Sequence, residues 1–258
     1  MDKVPSLNKS SDRRSDMAYQ PAFYIPYVSP LEDDELYLES DGKPMAETER
    51  HRNLMIYAIQ TLESHFEAVP DVCVSGNMMM YYRPGDYWKS VSPDVFVTFG
   101  VERKERRTYR IWEEGKPPDF VLEFSSKRTA ANDLGLKKAL YAEVIGVREY
   151  FLYDPERRYL PSGPLIGFRL EGQSYVRIPP SIGGGIPSET LGVEFSLRGD
   201  GFGFYDVIFG EWLETPAEKA AAAFHEEAAA RQAAEIRAQQ AEEELTRLRA
   251  ALTSQKNS

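Results

Sequence analysis

The chain has 258 residues, of which 42% are hydrophobic and 28% are charged, and this length is enough for one sizeable core with appended segments. Its formal net charge of −10 excludes broad, non-specific adhesion to nucleic acid, although a metal ion can still neutralise phosphate locally. No apolar run is long enough to cross a membrane, no secretory signal opens the chain, and the single cysteine, Cys73, cannot form an internal disulfide. We therefore expect a cytoplasmic protein without a membrane partner.

The N-terminal part contains a polar tail and a first helix. Residues 1–20 are mixed in charge with few apolar positions, which predicts a disordered tail. Thr48 is a suitable N-cap, and the apolar residues after it recur at helical spacing. Glu47, Glu49 and His51 stand at the start of this helix. Either they are acids that favour a helix N-terminus beside a partly exposed histidine, or one of them reaches the edge of an active site.

Two apolar stretches then predict strands. Residues 71–83 contain Gly76 and Asn77, which indicate a bulge or turn, and residues 91–100 alternate so that Asp94 opens a strand. Residues 101–117 follow with six basic residues against four acids. This link is either a solvated loop or a local patch that contacts phosphate.

The stretch from residue 118 to residue 153 predicts a strand, a loop, a helix and a second strand. Glu123 stands within the first apolar strand, where a charged group costs free energy unless it has a partner or a metal. Because of this cost, Glu123 is the first residue that a functional hypothesis has to explain.

The predicted helix of this stretch begins at Asn132 or Asp133. Asp133, Lys137 and Tyr141 recur at every fourth position, so they share one helix face. An apolar stripe lies beside that face and is expected to pack on the sheet: Leu136, Leu140 and Val144.

The remainder of the chain predicts scaffold and an extension. Residues 165–206 contain turn signals between short alternating runs, which predict antiparallel hairpins without a cluster of catalytic residue types. Residues 213–258 include a long segment rich in Ala, Glu, Arg and Gln with a weak heptad seam. We interpret this segment as a helix that forms a coiled coil, and hence expect a homodimer; a solitary solvated helix is the alternative.

Two carboxylates and a lysine suggest the chemistry. Asp94 and Glu123, on neighbouring strands and facing the same side, can converge on a hard divalent cation such as Mg²⁺ or Mn²⁺. Such a cation activates water and stabilises charge that develops on a phosphoryl group. Lys137 on the following helix can reach the same point, where it would position the water or balance charge. These three groups are the minimum set for metal-dependent phosphodiester hydrolysis.

Three motifs in a fixed order carry a family resemblance. They are SPDVFV at 92–97, PDFVLEFSSK at 118–127 and DLGLKKALYAEVIGVREYFLYDP at 133–155. Together they resemble the Uma2 family of restriction-endonuclease-like proteins, within the PD-(D/E)XK nuclease superfamily. The resemblance extends from about residue 41 to residue 192 and implies an α/β fold, with a restriction-endonuclease-like mixed central sheet flanked by helices. We expect this nuclease-like domain to span residues 21–212.

The resemblance also implies a magnesium-dependent endonuclease that acts on DNA. In it, Asp94 matches the acid of the PD motif and Glu123 the acid of the (D/E)XK motif, both as metal ligands. Ser125 stands where that motif places its lysine, and in Uma2-like sequences the lysine moves to the following helix, here Lys137.

Further positions of the family pattern imply supporting roles. Asp133 and Tyr141 match such positions, and Ser125 is grouped with them. Glu47 or Glu49 would match the acid that the first helix of the superfamily often supplies. Two other functions remain open: a catalytically inactive nuclease-fold module that binds partners through its coiled coil, and a metal-dependent hydrolase of small phosphoesters.

Overall fold

The computed structural model describes residues 37–40 and 48–256. The predicted tail at residues 1–20 and the candidate acid Glu47 lie outside the described residues.

The elements follow each other in an order that alternates helices with short strands. In chain order they are α1 (Glu49–His65), β1 (Val72–Ser75), β2 (Met80–Tyr81), β3 (Ser90–Val91), β4 (Val95–Phe99), β5 (Tyr109–Arg110), α2 (Ile111–Glu114), β6 (Phe120–Phe124), α3, β7 (Glu149–Tyr153), β8 (Leu165–Glu171), β9 (Ser174–Arg177), β10 (Ile186–Ser188), β11 (Val193–Arg198), β12 (Gly201–Asp206), β13 (Glu211–Trp212) and α4 (Pro216–Lys256). Helix α3 combines an α-helical turn with two π-helical stretches, at Ala130–Asn132, Asp133–Lys137 and Leu140–Ile145.

A mixed six-stranded sheet with the order β1-β4-β6-β7-β8-β9 forms the centre. Its strands β6 and β7 run parallel, and the other neighbouring pairs are antiparallel. A parallel pair needs a crossover connection, which α3 supplies between β6 and β7. Two smaller sheets, β10-β11-β12-β13 and β3-β2-β5, accompany it. The predicted α/β class with a mixed central sheet is confirmed.

Helices cover both faces of the central sheet, because its inner strands are apolar on both sides. One face packs on α1 and on the sheet of β10 to β13, in a cluster that includes Leu62, Val97 and Phe195. The opposite face packs on α3, in a cluster that includes Phe96 and Tyr141. Burying each large apolar side chain of this kind contributes about 1.5–3 kcal/mol.

The buried face of α3 is not the one expected from the apolar stripe. Leu136 is 78% and Val144 is 59% exposed, so the prediction that this stripe packs on the sheet is wrong for these two residues, whereas Leu140 is partly buried against the core. The polar stripe with Asp133 and Tyr141 is buried instead, because these side chains find hydrogen-bond partners there. The helix also begins at Ala130, which puts Asp133 inside it rather than at its N-cap.

The basic link at residues 101–117 is held by contacts within the protein. Arg106 is buried and pairs with Glu114 at 2.8 Å, and Arg103 donates to the backbone carbonyl of Phe66 at 2.9 Å. The other basic side chains of the link pair with acids: Lys104 with Glu102 and Glu114, Arg107 with Glu39, Arg110 with Glu113, and Lys116 with Asp119. The link is therefore neither simply solvated nor a set of unpaired phosphate-binding cations.

Helix α4 extends for 41 residues, which corresponds to about 60 Å. Lys219 near its start shares a cavity with His65 at the end of α1. Apolar residues farther along, such as Phe224 and Leu248, are exposed, so the coiled coil and the homodimer stay predictions. In the described part of the chain no helix has the length and apolar character needed to span a membrane.

Candidate active site

The sheet register brings Asp94 and Glu123 to the same place. Val95 pairs with Leu122 and Phe96 with Val121 across the antiparallel β4 and β6. One further step of this register sets Asp94, which directly precedes β4, opposite Glu123. Residues directly opposite each other in an antiparallel pair have neighbouring side chains. The sequence-based expectation of two acids on adjacent strands therefore agrees with the register.

Two groups hold the Asp94 carboxylate at the end of the β4–β6 pairing. Its Oδ2 accepts a hydrogen bond from the backbone N–H of Phe124 at 2.7 Å, and its Oδ1 lies 3.2 Å from Nε2 of His51 on α1. The His51 ring also meets the Phe124 ring edge to face, with centroids 5.7 Å apart. Asp94 thus bridges the sheet and the first helix.

A glycine permits this position of Asp94. A Cβ on Gly76 would lie 2.0 Å from the backbone oxygen of Asp94, so no larger residue fits without moving the backbone. The next residue, Asn77, has a φ of 48° and donates its N–H to the Pro93 carbonyl at 2.9 Å. Where the sequence predicts a bulge or turn, the chain bends at Asn77 and contacts the segment that carries Asp94.

Glu123 is 1% exposed, and both of its carboxylate oxygens accept from α3. Lys137 Nζ lies 2.7 Å from Oε2, and the Tyr141 hydroxyl donates to Oε1 at 2.8 Å. These two donors come from the helix stripe with four-residue spacing, so the prediction that the stripe shares one face is confirmed. Lys137 is thus the charged partner that offsets the cost of burying the Glu123 carboxylate.

Asp133 forms a second buried carboxylate beside this pair. The Ser125 hydroxyl donates to its Oδ2 at 2.9 Å, whereas its Oδ1 has no hydrogen-bond partner in the described part of the chain and lies 4.0 Å from Lys137 Nζ. The Tyr150 hydroxyl donates to the backbone carbonyl of Asp133 at 3.0 Å. Ser125, which stands at the lysine position of the motif, thus orients Asp133.

Burial and the neighbouring charges together raise the pKa values of Glu123, Lys137 and Asp133. Burial raises the pKa of Glu123 to about 8; Lys137 opposes this shift, and the carboxylates of Asp94 and Asp133 reinforce it. Burial lowers the pKa of Lys137, but Glu123, Asp94 and Asp133 outweigh it and raise the value to about 12. Burial likewise raises the pKa of Asp133. Lys137 therefore carries its proton at neutral pH amid three acids, and such perturbed clusters are typical of functional sites.

The donor set suits a hard cation with few protein ligands. Within residues 48–256 no group of three or more His, Cys, Asp or Glu side chains is arranged to enclose a metal ion. Mg²⁺ is commonly held by one or two carboxylates and keeps several waters, so Asp94 and Glu123 fit it by chemistry and number. The buried, unpartnered Oδ1 of Asp133 adds an oxygen that would favour a nearby positive charge.

The structure brings together most of the predicted site residues. Glu123, Lys137 and Tyr141 are in direct contact, and Ser125 and Asp133 bond to each other beside them. Glu49 is exposed and makes no hydrogen bond or ion pair to another described residue.

At the start of α1, the group that reaches the site is His51. In the sequence His51 is one of three polar residues at this helix start, and its spacing from the N-cap does not reveal that its partner is Asp94, 43 positions away. The sequence identifies Gly76 as part of a bulge or turn, but it does not show that Gly76 lies against the backbone of Asp94.

Comparison with known proteins adds a family. Residues 28–198, more than half of the chain, match the family described as "Uma2: Putative restriction endonuclease". The structure is also similar to one described as a "putative nuclease belonging to DUF820 from Anabaena variabilis ATCC 29413", with 17% sequence identity and a TM-score of 0.42, over 60% of this chain and 81% of that chain. No curated protein matches. The family match supports a nuclease-like function.

Proposed function

Because the chain belongs to the Uma2 family, we propose that it is an endonuclease that hydrolyses phosphodiester bonds of DNA with the help of Mg²⁺ or Mn²⁺. One observation carries the proposal: Lys137 Nζ lies 2.7 Å from the buried carboxylate of Glu123, at the strand ends where the register sets Asp94. A protonated lysine is one of the groups that stabilise the negative charge that develops when a phosphate ester is hydrolysed.

In this proposal Asp94 and Glu123 hold the divalent ion. When bound there, the ion would supply a positive charge that stabilises phosphoryl oxygens and makes water a better nucleophile. His51 and the backbone N–H of Phe124 keep the Asp94 carboxylate in place. Tyr141 does the same for Glu123 through its hydroxyl.

Lys137 acts as a hydrogen-bond donor and a positive charge. Since its pKa is raised, it keeps its proton at neutral pH and is not a general base. Its three N–H groups can orient the attacking water and balance the charge that grows on the phosphoryl group. Asp133 and Ser125 support this role, because the Asp133 carboxylate adds negative charge 4.0 Å from the ammonium group.

The test is cleavage of plasmid DNA by the purified chain with Mg²⁺ or Mn²⁺. Asp94→Asn and Glu123→Gln keep the size of each side chain and remove its charge, so we expect at least about a 100-fold loss of rate for each. Glu143→Gln is the matched control, since Glu143 is an exposed acid on the same helix α3, and its rate should equal that of the wild type.

Calorimetric titration with Mn²⁺ separates the proposal from the inactive binding module. The wild type should bind the ion, and the Glu123→Gln variant should lose that binding while its circular dichroism spectrum stays unchanged. Absence of cleavage by the wild type with either ion, or full activity of Asp94→Asn, would contradict the assignment. Cleavage of a small phosphodiester alone, with DNA left intact, would favour the small-phosphoester hydrolase.

A further inference from the structure

A cavity of about 710 Å³ opens beside the candidate site and shares Lys137 with it. Its walls come from the turn between β2 and β3, the β1–β2 connection, the segment 38–40 and the outer side of α3. Proteins bind small ligands in cavities of about 300–1,000 Å³. The lysine that pairs with Glu123 is therefore bordered by a space large enough for one nucleoside.

Exposed aromatic and apolar side chains line this cavity. Trp88 is 77% exposed and Tyr87 is 40% exposed, and their rings are tilted against each other with centroids 4.8 Å apart. Leu136 of α3, which is 78% exposed, also lines the space. This explains the apolar stripe of α3 that does not pack on the sheet: part of it belongs to the cavity.

The backbone that carries the aromatic pair is held by a hydrogen-bonded turn. The backbone N–H of Trp88 donates to Oδ1 of Asp86 at 3.2 Å, and the N–H of Lys89 donates to the Asp86 carbonyl at 3.0 Å. Tyr82, which directly follows β2, continues this arrangement by donating its N–H to the Lys89 carbonyl at 3.1 Å. Because this turn is already ordered, its backbone loses little conformational entropy when a ligand stacks on the aromatic side chains.

The net charge of the chain disfavours binding of DNA through phosphate contacts alone. The chain carries a net charge of −10, and the basic residues of 101–117 are engaged within the protein. The net negative charge therefore opposes the phosphate contacts that usually supply most of the affinity for a polynucleotide. Stacking of one base on an aromatic side chain contributes about 1–3 kcal/mol and does not depend on net charge.

We propose that this cavity binds an unpaired DNA base next to the scissile phosphate, stacked on Trp88. The inference depends on the function proposed above, since it takes Lys137 as the group that faces the phosphate. A base in a regular duplex is paired and stacked, so it enters such a cavity only after it has left the helix. The substrate is therefore single-stranded DNA, or duplex DNA with locally unpaired bases.

Fluorescence anisotropy without divalent metal tests the inference. The probe is a fluorescein-labelled thymidine oligonucleotide, either single-stranded or annealed to its complement. The wild type should bind the single strand more tightly than the duplex, and Trp88→Ala should weaken single-strand binding about 5- to 150-fold. Trp88→Phe should recover most of the affinity, because phenylalanine also offers a ring face. Phe209→Ala removes a similarly exposed ring outside the cavity and should change nothing.

Equal single-strand affinity of the wild type and Trp88→Ala, or no binding by the wild type, would overturn the inference. Binding is measured without cleavage, so the two proposals fail separately. If the wild type binds through Trp88 but cleaves nothing with Mg²⁺ or Mn²⁺, the base site stands and the nuclease function fails. If the wild type cleaves DNA and Trp88→Ala cleaves single strands with the same KM, the nuclease function stands and the base site fails.

Discussion

Replacing Tyr141 by phenylalanine tests whether Glu123 is an ionised acceptor. The substitution removes only the hydroxyl that donates to Glu123 Oε1 at 2.8 Å, and it leaves the shape of the side chain. Tyr141 is 0% exposed and Glu123 is 1% exposed, so water does not replace the lost donor. A hydrogen bond to a charged group contributes about 1.5–3 kcal/mol. We therefore expect Tyr141→Phe to lower the free energy of unfolding by about 2 kcal/mol at a pH above about 8, where Glu123 is ionised.

Tyr150→Phe is the matched control for this prediction. Tyr150 is equally buried, but its hydroxyl donates at 3.0 Å to a neutral acceptor, the backbone carbonyl of Asp133. Loss of such a bond costs about 1 kcal/mol. For a domain of this size each kcal/mol shifts Tm by about 2–4 °C, so the two variants should be separable by calorimetry as well as by urea unfolding.

The difference between the two variants should depend on pH. Because the pKa of Glu123 is raised to about 8, its carboxylate is ionised above that pH and accepts the stronger hydrogen bond there. As pH falls below about 8, Glu123 takes up a proton and the cost of Tyr141→Phe should approach that of Tyr150→Phe. Equal costs for the two variants at every pH would refute the assignment of Glu123 as a charged acceptor.

Three further predictions concern the surroundings of the site. Gly76→Ala should destabilise the fold by about 1–3 kcal/mol and reduce cleavage, because the new Cβ displaces the Asp94 backbone. Gly135→Ala is the control: nothing lies near its Cβ, so this variant should stabilise the fold by about 0.5–1 kcal/mol in urea unfolding. Arg106→Met should cost about 3–5 kcal/mol, since it leaves Glu114 buried without its main partner; a loss below 1 kcal/mol would contradict this. Burial lowers the pKa of His65, so its neutral form stabilises the fold above its usual pKa of about 6.5, and this stabilisation is lost as pH falls through the lowered pKa. The free energy of unfolding of His65→Gln should lack this part of the acid dependence. Identical pH profiles of the unfolding free energy for the wild type and the variant would refute this prediction.

Local spacing predicted the parts of the site that lie close together in the chain. Alternation in β4 and β6 indicated the faces of Asp94 and Glu123, and the four-residue spacing from Asp133 to Tyr141 indicated one helix face. These patterns repeat the periods of the strand and the helix, and so they carry over directly to the structure. Which of two parallel stripes on α3 is buried did not follow, because hydropathy alone favoured the apolar one.

Contacts between distant segments could not be predicted from spacing. The approach of His51 to Asp94 depends on how α1 crosses the sheet, and the burial of Arg106 depends on where Glu114 folds back. Both are tertiary contacts, and a polar residue gives no sign in its own sequence neighbourhood of a partner far along the chain. The glycine beneath Asp94 belongs to the same class, since its constraint comes from a backbone atom of another strand.

The π-helical geometry of α3 sets a limit on evolution and engineering of the chain. Helices with i→i+5 hydrogen bonds hold one residue more per repeat than an α-helix does, and such stretches usually persist where function requires them. Deletion of a single residue between Asp133 and Lys137 would remove the four-residue spacing that brings these two side chains to one face of the helix. Length changes in this helix should therefore be tolerated far less than substitutions at its exposed positions, and a one-residue gap in a related sequence would mark a loss of the lysine–glutamate contact.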